Sequence, residues 1–542
     1  SRRAFWRVFV GLHRVLWLIP PFLIYFLRPE PATAAIIIAI ACVSGLIGNM
    51  GGVAWQSWMA DLVPENSRGS FWSRRQMWIM GALLVSMGLS GWMLDVFDAG
   101  NPEASMFGFA FVFLLAAISG ITDVAIHWSV PEPAAKPMTA AMPLLRRLLL
   151  PLRHPSFRRL ALAMGFWTFA CTVIGPFGNL YLKRVVQATY TELSAIAIAG
   201  AVSNIVAGFA SGYLIDRVGA KAVASVMTLV CPLFGVFWFL VTDTPVSFTL
   251  PLLGMTVVTR QAILLLAVSS LLGAGLYSAI GLCHLSLVAA IAPKRGRTVA
   301  MAIQWTLIGL IGAVGPLIGG AVMDACGDGF DFLLRGGTRF TFIHILCFCH
   351  AALAWGVALP LFRSVRVRRD TIGLRRAIGL LLPANPVRFA SGVYHGRIIS
   401  LPATPERRLR AVRAVGETGA AFAVQDLCAK LADPSLDVRE AAVASLGRIA
   451  SNEAIASLLR ALGDPANDLA VPALRALRDA LRERPGGLSV VALLQAETDT
   501  DWTRAIVTAV APLLAHANLE VVREAARLLG LTPDPAARTA LI

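Results

Sequence analysis

Ser211-Gly212-Tyr213-Leu214-Ile215-Asp216-Arg217-Val218-Gly219-Ala220-Lys221 is a short charged turn between two long apolar stretches. The stretches are residues 193–215 before it and 221–241 after it. Each is long enough to cross a bilayer, whose hydrocarbon core takes about 20 apolar residues per helix. The quoted stretch therefore reads as a tight connection between two membrane helices, with its charges held at one face of the bilayer. Eight more segments have the same apolar character, near 5–27, 34–60, 76–97, 106–130, 158–182, 260–290, 298–323 and 340–362. Charge is scarce within these ten spans and collects between them. The composition agrees: of 542 residues, 57% are hydrophobic and 15% charged, with a mean hydropathy of +0.69. A soluble domain sits near half apolar and about a quarter charged, so this chain falls in the membrane class.

The formal charge of +16 and pI near 10.2 would suit a nucleic-acid partner if the charge were spread evenly. It is not. With the N-terminus inside and the sides alternating, the inside segments hold 21 Lys and Arg, among them Arg74, Arg75, Arg158, Arg159, Lys294 and Arg295. The outside loops hold six: Arg28, Lys183, Arg184, Arg260, Arg335 and Arg339. This asymmetry predicts both chain ends in the cytoplasm of a plasma (inner) membrane protein of bacterial type. It also accounts for the pI without nucleic acid. Six of the eight cysteines fall in spans, where a thiol is a small hydrophobe. No paired Cys-x-x-Cys units suggest a metal. Ser1-Arg2-Arg3 runs straight into a full-length span, which reads as a membrane helix and not as a cleavable signal peptide.

A repeat organises the spans. Ala60-Asp61-Leu62-Val63-Pro64, Arg68-Gly69, Gln76, Gly91 and Asp95 are echoed by Ala290-Ile291-Ala292-Pro293, Arg295-Gly296, Gln304, Gly320 and Asp324. The offset is 229 residues from Pro64 to Pro293 and again from Asp95 to Asp324. The basic stretch 131–157 separates four spans (1–130) from six (158–362). In a six-plus-six arrangement the counterpart of the 211–221 turn falls at Ser1-Arg2-Arg3, which predicts two further helices upstream; the alternative is a native ten-span protein.

These features resemble the major facilitator superfamily over roughly residues 1–362. Gly212, Asp216, Arg217, Gly219 and Lys221 match that family's cytoplasmic signature, with Ala220 departing from the usual base. Trp58-Met-Ala-Asp61-Leu-Val-Pro64-Glu65 with Arg68 and Gly69 is similar to the turn after its fourth span. The resemblance implies an all-α, polytopic helical bundle of four plus six spans, working by alternating access. In it, Gly212 would let helices approach closely. Asp216 would pair with Arg74 or Arg75 of the opposite half to close the cytoplasmic gate, or act only as a solvated topology signal. Gly312, Gly315, Pro316, Gly319 and Gly320 resemble an antiporter motif but sit in a different span from the family's, so they read as close packing around a proline bend.

Polar groups inside spans are candidate cavity residues, because hydrocarbon offers them no partner. They are Asn49, Gln56, Asn204, His284 and Gln304, with Trp167 as an aromatic wall beside Phe166, Trp305 and Tyr181, the last fitting an interfacial belt. Asp123 and His127, four apart on one helix face, form either a proton-linked or an interfacial pair. No phosphate loop, zinc-protease motif or serine-nucleophile elbow is present in the sequence, so no enzyme is expected, and no metal or cofactor.

After residue 363 the character changes. Residues 363–400 read as a basic linker along the inner membrane surface. From 401 to 542 a 31-residue period appears: Gly416 recurs as Gly447, and Leu431-Ala-Asp433-Pro434 as Leu462-Gly-Asp464-Pro465. This resembles HEAT repeats, an α-solenoid whose units bury a face only against their neighbours. The family implies a cytoplasmic protein partner through 401–535, with a passive cap as the alternative. The expected partners are the lipid bilayer, a small-molecule substrate and a coupling ion, H+ or Na+. Two other readings stay open: a degenerate transporter serving as sensor or scaffold, and a nucleotide exchanger, which would need a basic cavity.

Overall fold

The computed structural model describes residues 2–26, 30–62, 68–97, 102–132, 151–250, 255–291, 297–327, 330–333, 339–367, 372–382, 385–462, 468–482, 502–532 and 534–542. Among them, ten helices are long and apolar enough to cross a membrane: Arg3–Ile24, Pro31–Gly52, Trp78–Phe97, Met106–Ser129, Pro155–Arg184, Tyr190–Val218, Ala220–Leu240, Gln261–Val288, Ala300–Cys326 and Phe342–Ser364. Helices satisfy their own backbone polar groups, which is what a bilayer demands. The first span is interrupted at Trp17-Leu18, ahead of Pro20 and Pro21, which carry no N–H to continue the ladder.

The last six spans pack in pairs, the sixth against the eighth and the fifth against the ninth. Small residues set the distances. A Cβ on Gly312 would lie 2.7 Å from the Thr168 methyl, and one on Gly315 would lie 2.9 Å from the Val173 backbone nitrogen. One on Gly319 would strike Phe177, while Gly320 has ordinary room, 3.9 Å from the same ring. Pro316 lies within the ninth helix and leaves the Gly312 carbonyl without its helical donor. The Thr172 hydroxyl of the fifth span donates to that carbonyl at 2.7 Å, so the bend and the helix contact are one device. Tyr181 is buried, edge-on to Trp238 at 5.7 Å; it belongs to the core and not to an interfacial belt.

Short strand pairs interrupt the helices twice among the described residues, Phe332–Leu333 with Arg339–Phe340 and a longer pair between the seventh and eighth spans. Pro245–Leu250 and Met255–Arg260 pair antiparallel, Pro245 opposite Arg260 and Leu250 opposite Met255. Val246-Ser-Phe-Thr and Thr256-Val-Val-Thr are rich in β-branched residues, which fit a pleated surface.

The stretch 363–400 is not a bare linker over its described residues. Leu374–Leu381 and Pro386–Ile399 are helices, the second capped by the Asn385 side chain, which accepts from the Val387 and Arg388 N–H groups. Leu374, Ala377, Ile378 and Leu381 recur at helical spacing, and the face they make is apolar enough to bury. Ala377, Leu381, Val393 and Ile399 enter a core that runs without a break from Phe157 and Leu160 of the fifth span to Leu446 of the C-terminal domain. Basic residues mark the stretch, but its apolar face decides where it goes.

The C-terminal domain stacks helices Pro405–Thr418, Val424–Lys430, Leu436–Ile449, Asn452–Leu462 and Ala470–Arg482, followed by Trp502–Val510, Leu519–Leu531 and Pro535–Leu541. The 31-residue period has a steric cause. Gly416 faces Ser445, whose Cβ would be 2.7 Å from an added methyl, and Gly447 faces Ala476 at 2.8 Å. Both members of the contact advance by the same step along the chain.

Candidate functional site

Gly219 ends the sixth helix with φ +99°, a conformation glycine adopts without strain, and the seventh begins at Ala220. The turn is therefore as short as its sequence suggests. Its arginine does not reach for the first four spans. Arg217 Nε donates to Asp426 Oδ2 at 2.8 Å and its Nη2 bonds Asp426 Oδ1, a bidentate pair. The Tyr213 hydroxyl donates to the same carboxylate at 2.6 Å. Asp426 sits in the helix Val424–Lys430 of the C-terminal domain and is 5% exposed. Around this contact, Phe422 stands edge-on to Tyr213 at 6.1 Å, and a Cβ on Gly396 would lie 2.8 Å from Tyr213 Cζ, at the hydroxyl end of the ring. Arg397 donates to the Phe209 carbonyl at 2.7 Å and lies over the Phe209 ring. The C-terminal domain is thus docked on the signature itself.

Two expectations bear on these residues. Gly212 has open space where a Cβ would sit. The close approach is made one residue later by Tyr213, whose side chain points at the docked domain. Arg75 lies over the Trp55 ring at 4.6 Å, within the first four spans. Asp216 is exposed and forms no ion pair among the described residues; the carboxylate serving the basic end of the signature is Asp426, which meets Arg217. Asp216 instead lines a cavity of about 870 Å³ between the signature, the linker and the C-terminal domain, together with Arg376, Asn452 and Glu453. Lys221 is half-buried. The side chains of Arg68, Arg74 and Gln56, and the surroundings of Gly69, lie outside the described residues.

At the opposite face the two sets of spans are clasped together. Asp95, at the end of the third span, accepts from the backbone N–H groups of Tyr190 and Thr191, each at 2.6 Å. These N–H groups have no acceptor within the helix, because they lie in the first turn of the sixth helix, where the helix dipole also favours an anion. Gly91 permits the approach: a Cβ there would lie 2.8 Å from Ser194 Cβ. Toward the signature face, Trp78 and Val85 of the third span and Val206 and Phe209 of the sixth are exposed. The repeat had drawn attention to Asp95, but only the fold supplies its partner. Asp426 and Tyr213 had no signal in the sequence.

The remaining candidates do not form one site. Asp123 and His127 pair at 3.2 Å, and Arg14 of the first span approaches Asp123 at 3.7 Å. Asn49 is exposed and Asn204 half-buried, its Oδ1 without a partner among the described residues. His284 and Gln304 are each 1% exposed, and no polar atom of either side chain has a protein partner among the described residues. The His284 ring stands edge-on to exposed Trp305 at 5.2 Å. Trp167 is 5% exposed, packed inside the last six spans. Among the described residues, no group of acidic, cysteine or histidine side chains could hold a metal ion.

Comparison with known proteins agrees with this architecture. Residues 7–259 match the family model of the Major Facilitator Superfamily, and residues 401–478 match that of HEAT repeats. No curated protein matches the chain significantly, and no solved structure does. With ten membrane-length helices and a stacked helical C-terminal domain, the chain is an integral membrane protein whose residues 7–259 match the Major Facilitator Superfamily, a transporter family, and whose residues 401–478 match HEAT repeats.

Proposed function

We propose that the chain is a secondary active transporter that moves a small solute by alternating access, with the signature face and both ends in the cytoplasm. The observation that carries this reading is the Asp95 clasp. It joins the two sets of spans at one face, while the signature at the other face is bound to the chain's own C-terminal domain. Such an arrangement leaves the cytoplasmic ends of the third and sixth spans free to separate, as a solute path requires. His284 and Gln304, buried without partners, are the candidate solute contacts.

A specific test uses spin labels at Trp78→Cys and Phe209→Cys, both exposed positions, in a background free of other cysteines and reconstituted in nanodiscs. Alternating access requires two distance populations whose ratio responds to at least one class in a panel of sugars, amino acids, nucleosides and hydrophobic cations. One fixed distance under every solute refutes it. The docking of Asp426 on the signature also favours a second reading, in which the HEAT-like domain senses or is sensed by the transporter. Deleting 401–542 separates the two: unchanged uptake of the solute so identified would make the repeats an accessory.

A further inference from the structure

The last six spans hold a polar network at mid-membrane. His350 of the tenth span is 3% exposed. Its Nδ1 lies 2.9 Å from the Ala170 carbonyl of the fifth span. A carbonyl only accepts, so Nδ1 carries a hydrogen and the tautomer is fixed. Its Nε2 lies 3.2 Å from the Tyr277 hydroxyl of the eighth span, which is itself 3.0 Å from the Cys231 carbonyl of the seventh. Each of these four residues stands within one turn of the middle of its span, the depth at which transporter sites gather. The backbone is irregular at the same level. The seventh span tightens to a 3-10 helix from Cys231, ahead of Pro232, and the tenth carries a π-turn at Ala354–Ala358 just beyond His350. Such irregularity at membrane depth is tolerated where protein or a cavity surrounds it, and π-turns concentrate at functional sites.

Counting hydrogens shows what the network is built for. With a neutral imidazole, Tyr277 has one hydroxyl hydrogen and two acceptors, Nε2 and the Cys231 carbonyl. A proton added to Nε2 removes the conflict. Nε2–H then donates to the Tyr277 oxygen, Tyr277 donates to Cys231, and Nδ1–H stays on Ala170. The Trp167 ring, 5.9 Å from the imidazole and 5.5 Å from Tyr277, favours the added charge. The other titratable groups facing the network are the thiols of Cys171, Cys231 and Cys347. Away from their terminal turns, the fifth, seventh, eighth and tenth spans contain no Asp, Glu, Lys or Arg. No carboxylate therefore holds the imidazolium permanently. Burial opposes the charge and three hydrogen bonds favour it, the balance a group needs to take up a proton and release it.

We infer that His350 and Tyr277 form a proton-binding site at mid-membrane, and that the ion coupled to transport is a proton held as Nε2–H of His350. The inference rests on the transport reading above and names its coupling ion. Tyr277 is half-buried where His350 is enclosed. A proton arriving at Nε2 leaves the Tyr277 hydrogen to the Cys231 carbonyl alone, and so strengthens a bond between the eighth and seventh spans.

The test uses the full chain in nanodiscs with 15N-labelled histidine, followed by solid-state NMR from pH 8 to pH 5. The signal lost in His350→Gln identifies His350. It is expected to pass from singly to doubly protonated in that range, and in Tyr277→Phe at about tenfold higher proton concentration. A His350 signal that stays neutral to pH 5, or a midpoint unmoved by Tyr277→Phe, overturns the site. Coupling is read from the Trp78→Cys/Phe209→Cys distances. Their population ratio should shift severalfold between pH 8 and pH 5, and not in His350→Gln. A ratio that solutes move but pH does not overturns the coupling and leaves alternating access standing. A ratio that nothing moves sinks the transport reading, and the NMR titration then still decides the proton site.

Discussion

Replacing Asp426 with alanine should release the C-terminal domain from the signature. The carboxylate accepts three hydrogen bonds, two from Arg217 and one from Tyr213. Removing one partner of a buried ion pair costs about 3–5 kcal/mol, because the other charge stays buried. The Arg217 side chain is 26% exposed, so water relieves part of that, and the lower end, about 3 kcal/mol, applies. The Tyr213 hydroxyl, left without its acceptor, adds about 1 kcal/mol. At about 1.4 kcal/mol per factor of ten, the docking equilibrium should weaken several-hundredfold. Asp426→Asn keeps an acceptor for Tyr213 and should cost about half as much. Hydrogen exchange measures this directly: peptides covering 211–221 and 386–430 should exchange faster, while those of the later repeats should not change. Joining Arg217→Asp to Asp426→Arg should recover part of the loss. Unchanged exchange in Asp426→Ala, or a double variant no better than either single one, would refute the reasoning and leave the apolar contacts of Phe422 and Gly396 as the whole attachment.

Asp95→Ala removes two hydrogen bonds and a charge from a helix N-terminus, worth about 1–2 kcal/mol. The spin-label ratio should move about 5- to 30-fold toward the state open at the Asp95 face. Gly447→Ala places a methyl 2.9 Å from the Ala476 carbonyl oxygen, backbone that cannot step aside; overpacking of this kind costs about 1–3 kcal/mol, visible as a lower Tm of the full chain in scanning fluorimetry. Asp433 carries a pH dependence. Burial alone would raise its pKa, but hydrogen bonds from Arg408 and the Ser435 N–H, with the charges of Arg408 and Lys430, hold it below the ordinary 3.8. A depressed carboxylate contributes stability that is complete above its unfolded value and lost as pH falls through the folded one. The repeat domain should therefore be insensitive to pH above about 5 and weaken below about 4, and Asp433→Asn should flatten that slope.

Much of this was legible in the sequence because it is local. Span lengths follow from apolar runs, and the short turn follows from Gly219. The 31-residue period follows from glycines that must each meet the next helix. What escaped depends on pairs far apart in the chain. Asp426 reads as an ordinary acid in the first turn of a short helix, and nothing near it announces Arg217. Gly212 looked like the contact because a glycine is visible, whereas the contact is the tyrosine beside it. The resemblance pairs Asp216 with Arg74 or Arg75; Arg75 lies over an indole face, and the Arg74 side chain lies outside the described residues. His350 and Tyr277 make their network across four spans, so no spacing records it. The basic stretch 363–400 was read by its charge, although its apolar face places it.

The apolar core that passes unbroken from the fifth span through the linker to the repeats makes the solenoid a lever on the transporter. Any rocking of the last six spans must swing the whole C-terminal domain with them. A protein or surface that grips the far repeats then acts on the membrane motion with a long arm, as a brake or a ratchet. Thermodynamic linkage makes this reciprocal: whatever factor such a grip imposes on solute affinity, bound solute imposes on the grip. The solenoid can therefore report how much solute the transporter holds without touching the solute path.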